Sequence, residues 1–127
     1  MTAPELLIRD TRATTATEFA LTFPIFIALV LGVMQIGFLL WAQLGIQNAV
    51  QAAARCATVN TTLCPDAAST ESYAAQNALG LNLPASTFTS ATPACGQQVS
   101  ASYKYSLFSS NFPAANLTLT AQSCLPK

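Results

Sequence analysis

The chain has 127 residues, of which 52% are hydrophobic and 8% charged, with a formal net charge of +0 and no histidine. So apolar a composition in a chain with room for one small domain points to a lipid-facing segment, and without a basic field no nucleic acid partner is expected. The missing histidine and the scattered charges remove most acid and base candidates, so neither an enzyme nor a cofactor or metal site is expected.

The first 13 residues form a short leader carrying Arg9 and Arg12. From Glu18 to Arg55 there is no ionisable side chain, and residues 19–44 are apolar apart from Thr22, Gln35 and Gln43. As a helix rising about 1.5 Å per residue, that stretch reaches roughly 39 Å, enough to cross a hydrocarbon core of about 30 Å with some tilt. The two arginines predict an N-terminus kept in the cytoplasm and a C-terminal part on the far side, with Trp41 at the outer interface. A secretory signal peptide is the rival, cut after Ala52, Ala53 and Ala54, but its apolar region would run only about 7–15 residues.

Glu18 sits at the inner boundary of the apolar run, directly before Phe19. An acid there is tolerated as an interfacial charge near the positive end of a helix dipole. Pro24 is expected to kink the first turns, because the carbonyl of Ala20 loses its helical donor. Small residues recur at Ala28, Gly32, Gly45, Ala49 and Ala53, a spacing that lets one helix approach another closely. Beyond the apolar run the pattern turns amphipathic: Ile46, Val50, Ala53 and Ala57 share one face, with Gln47, Asn48, Gln51, Arg55 and Thr58 around the rest. One helix is therefore predicted over residues 14–59.

The remainder, residues 60–127, reads as an exported head of mixed α and β structure. Residues 60–65 break the helix, and Asp66 caps a second one running through Leu79, stopped by Gly80 with Pro84 beyond. Residues 98–108 alternate Val99, Ala101, Tyr103, Tyr105 and Leu107 against polar partners, and Leu117, Leu119 and Ala121 do the same, predicting a hairpin joined by residues 109–115. A shorter strand over 87–91 borders it.

All four cysteines, Cys56, Cys64, Cys95 and Cys124, follow the apolar run and form no CxxC pair, which favours disulfides in an oxidising compartment over a metal site. Three connectivities are open. The hairpin returns Cys124 to the start of its middle strand near Cys95, and Cys56 and Cys64 face each other across the helix break, so these two pairs are expected.

The stretch RATTATEFALTFPIFIALVLGVMQIGFLLWAQLGIQNAVQAAARCA resembles the N-terminal region of TadE-like minor pseudopilins of the tight adherence, type IVb pilus system. In that family a basic leader precedes a small residue, four small or polar residues, Glu-Phe and a long apolar helix. The resemblance implies a pilin-like lollipop of long helix and α+β head, cut by a prepilin peptidase between Ala13 and Thr14, with Glu18 and Phe19 serving recognition and assembly. Ala13 departs from the glycine usual at such a site. The implied partners are the peptidase, other pilin or pseudopilin subunits, inner-membrane assembly proteins and membrane lipid. The implied location is the bacterial inner membrane, single-pass, with a periplasmic head that can enter an extracellular pilus. The function expected is pilus assembly or initiation in support of adhesion; the alternative is a permanently anchored periplasmic binding or envelope protein that never polymerises.

Overall fold

The structure, a computed structural model, describes residues 11–106 and 116–126; the side chains of residues 11–13 and the expected calls on residues 1–10 and 107–115, including Arg9, Leu107, Phe108 and the hairpin loop, lie outside what is described. The architecture is α+β, as expected. Helix α1 spans Thr11–Val59, α2 spans Ala67–Gln76, a short 3-10 turn covers Ala85–Thr87, and the strands are β1 (Phe88–Ala91), β2 (Gln97–Ser106) and β3 (Asn116–Leu125). The three strands form one antiparallel sheet in the order β1-β2-β3. By their contacts the residues fall into two compact units, Met1–Gly37 and Phe38–Lys127.

In the second unit the core is built on α1 itself. Ala42, Gly45, Ile46, Ala49, Val50, Ala53 and Ala54 are buried, a three- and four-residue spacing that keeps them on one helical face. They cluster with Ala74 and Ala78 from the α2 region, Leu83, and Phe88, Val99, Ala101 and Leu119 from the sheet. The helical residues are mostly small. Alanine and glycine let backbones come close, so bulk is supplied by Ile46, Val50 and Phe88.

Helix α1 stops where Asn60 turns the chain back. The Asn60 carbonyl accepts from the N–H groups of Leu63 and Cys64, and its side-chain Oδ1 accepts from Leu63 as well. That tight turn brings Cys64 under Cys56, with Cα atoms 5.9 Å apart, and the pair is bonded as a disulfide.

Asp66 then caps α2. Its carboxylate accepts from the Ser69 N–H at 2.8 Å, while the Ser69 hydroxyl accepts from the Asp66 N–H, a capping box with serine in the place usual for glutamate. Hydrogen bonding from Ser69, through its hydroxyl and then its backbone N–H, holds the Asp66 carboxyl below its ordinary range. The helix ends at Gln76, earlier than Gly80, because Asn77 intercepts it: its Nδ2 donates to the Tyr73 carbonyl and its N–H to Ala74 and Tyr73. Leu79 and Gly80 follow at positive φ, and the chain no longer follows a helical path.

The sheet keeps the expected alternation on β2. Val99 and Ala101 are buried and Tyr103 and Tyr105 half-buried, while Ser102, Lys104 and Ser106 face outward. On β3 Leu119 is buried and Ala121 half-buried, whereas Leu117 is exposed near the strand's start. Gln98 pairs with Cys124 in the ladder, which places Cys124 beside Cys95, and these two are bonded as well. At Gly96 the chain passes so close to the Leu125 carbonyl, at φ +121, that no side chain fits.

Candidate assembly site

In the first unit the described helix is a continuous apolar surface. Phe19, Leu21, Ile25, Leu29 and Val33 are all exposed, and the helix is long and apolar enough to cross a membrane. An isolated helix with so much apolar surface has to bury it against lipid or against other helices.

Glu18 opens that surface. Phe19 and Phe23, one turn apart, bring their ring centroids to 5.4 Å on the same flank. The Thr22 hydroxyl donates to the Glu18 carbonyl at 2.8 Å, so this residue's backbone is tied while its carboxylate stays exposed. Pro24 lies inside the helix two residues on. The bond from Ala13 to Thr14 lies within the described part of α1.

The five small residues separate into two groups. An added Cβ at Gly32 meets nothing within 4 Å, and Ala28 is exposed, so this pair offers an open close-approach surface. Gly45, Ala49 and Ala53 are covered by the chain's own head. A Cβ at Gly45 would lie 2.7 Å from Leu81 Cδ1 and 3.0 Å from the Ala78 carbonyl, so any larger residue must push Leu81 aside and crowd that carbonyl.

Three polar side chains that fasten the head escaped the sequence reading. Gln43 donates to the Thr120 carbonyl on β3, Asn48 donates to the Asn77 carbonyl at the end of α2, and Glu71 accepts the Ser90 N–H on β1, each at 3.1 Å. Gln43 and Glu71 thereby occupy backbone groups of the two outer strands, which blunts sheet edges that otherwise invite pairing. Gln43 had a visible signal as one of three polar residues in the apolar run; its acceptor, 77 positions away, had none. Among the described residues, no group of three His, Cys, Asp or Glu is placed to hold a metal.

Residues 13–55 match the family model for TadE-like proteins. No curated protein and no solved structure matches the chain. The TadE-like segment begins at Ala13, takes in Glu18 and Phe19, and ends at Arg55, one residue before the first disulfide. It therefore covers the lipid-compatible stretch together with the helical face that forms the floor of the head, and leaves out both disulfides and the sheet.

Proposed function

We propose that the chain is a non-catalytic minor pseudopilin of a tight adherence pilus, trimmed between Ala13 and Thr14 and held in the inner membrane by α1 with its head in the periplasm. The TadE-like match over residues 13–55 associates the chain with that pilus system. The observation that carries the rest is that α1 serves two masters. Its first part presents bare apolar surface, and residues 42–54 are core of the folded head. Removing the helix as a signal peptide, after Ala52 to Ala54, would take away Ala42, Ile46, Ala49 and Val50 and leave Phe88, Val99 and Leu119 without their floor. A retained helix is thus a condition of folding, and a retained apolar helix is what a pilin-like subunit needs in order to stay in the membrane and pack among its neighbours.

In this reading the prepilin peptidase reads the segment around Glu18 and Phe19, and Ala28 and Gly32 supply the close-packing surface for another subunit's helix. As the resemblance implies, Glu18 faces the new N-terminal amine of a neighbouring subunit, and such a pair sets register more than it adds stability, since two charges are costly to desolvate in an apolar setting. The Glu18→Ala variant should still insert into the membrane but lose trimming or pilus assembly, read by the size of the membrane-bound chain and by pilus counts on cells. Wild-type trimming and piliation in that variant would refute the role. An intact leader with normal piliation after deletion of the protein would instead favour a permanently anchored envelope protein.

A further inference from the structure

Beside the helical floor, the head carries an open cleft of about 690 Å³, bounded by α1, the turn after it, Tyr73 of α2 and the end of β3; its walls include Asn48, Gln51, Arg55, Val59, Leu63 and Leu125. Its character is mixed. Val59 is 77% exposed and Leu63 54%, and Arg55 stands exposed beside them. Asn48 is already engaged as a donor to Asn77, so it braces the cleft wall, whereas Gln51 points outward one turn before Arg55.

The charges decide what fits. The described head has two carboxylates, and each accepts a hydrogen bond within the head: Asp66 at the cap of α2 and Glu71 from the Ser90 N–H. Arg55 is left without a carboxylate partner among the described residues, at the side of a cleft with apolar flanks. A guanidinium in that setting presents a planar fork suited to a carboxylate, and a docked segment covers the exposed aliphatic side chains beside it.

We propose that this cleft docks an acidic segment of a different protein, with a carboxylate on Arg55 and neighbouring apolar side chains on Val59, Leu63 and Leu125. A second copy of the head is the weaker occupant, because each of its two described carboxylates already accepts a hydrogen bond within its own fold. Lipid headgroups are a poor occupant, because Arg55 lies eleven residues past Leu44, about 16 Å further along the helix axis. The proposal stands on the cleft and its charges alone and does not depend on the pilus reading.

Arg55→Lys supplies the test. It keeps the positive charge and adds an amine that a water-soluble carbodiimide couples to any carboxylate held against it, the activated acid losing the urea as the amide forms. The full-length variant is treated in membranes of cells that make it alongside its natural neighbours, and the peptide joined to the introduced lysine is sequenced by mass spectrometry. Recovery of the Cys56 to Cys64 disulfide checks that the fold is kept. The expected product is an amide to an aspartate or glutamate of another protein, lost when the coupling is run at high salt. A product with an anionic lipid, with a second copy of this chain, or none at all while Lys104 still couples, would overturn the proposal.

Discussion

The two parts of α1 are one helix with opposite chemistry on their surfaces. From Phe19 to residue 37 most exposed side chains are large and apolar, Leu29 being 64% exposed, and a Cβ added at Gly32 or Gly37 meets open space. From residue 42 the buried face is mostly small, with Ile46 and Val50 supplying the bulk, and the exposed side chains, Leu44 and Val59 apart, are mainly polar: Gln47, Asn48, Gln51 and Arg55. The first part has surface in need of a partner; the second has found one within its own chain. The difference teaches that a run of small residues does not say which partner it serves. Gly45, Ala49 and Ala53 look like Ala28 and Gly32 in sequence, yet three of the five are consumed by folding and two remain open.

That contrast breaks most easily at the floor of the head. Ile46→Ala should remove about 2–5 kcal/mol from the stability of the head, since Ile46 is fully buried among alanines that cannot fill the space. Thermal unfolding of the detergent-extracted chain, followed by the near-UV signal of Tyr73, Tyr103 and Tyr105, measures it. Gly45→Val should cost less, about 1–3 kcal/mol, because Leu81 can partly yield but the Ala78 carbonyl cannot. The smallest effect belongs to the first part: Leu29→Ser should leave head stability within about 0.5 kcal/mol, as an exposed position away from the core does. Its consequence should instead fall on membrane retention or on association with other subunits. A Leu29→Ser head as unstable as Ile46→Ala would abolish the distinction between the two parts.

How much of this was legible depends on the range of the interaction. Periodicity read the helix to Val59, the face of Ile46, Val50, Ala53 and Ala57, and the alternation on β2, because each is a local pattern repeated several times. The proximity of Cys124 to Cys95 followed from the return of a hairpin, and the bonded pairs are the ones that geometry favours. The end of α2 was misplaced for a local reason: Asn77 competes for the last carbonyls before Gly80 is reached, and asparagine signals a cap less loudly than glycine does. The anchoring bonds of Gln43, Asn48 and Glu71 were invisible because their partners are backbone groups, which leave no mark on residue identity. The burial of Gly45 was invisible for the reason already given, since packing on a head and packing on a neighbour ask for the same small residues.

The central claim is that α1 stays with the mature protein because the head is built upon it. The intact mass of the protein extracted from membranes under non-reducing conditions tests this most directly. The account predicts a chain beginning at Thr14 and carrying both disulfides. A soluble, folded chain beginning near Arg55 would contradict it, because that head would have formed without Ala42, Ile46, Ala49 and Val50.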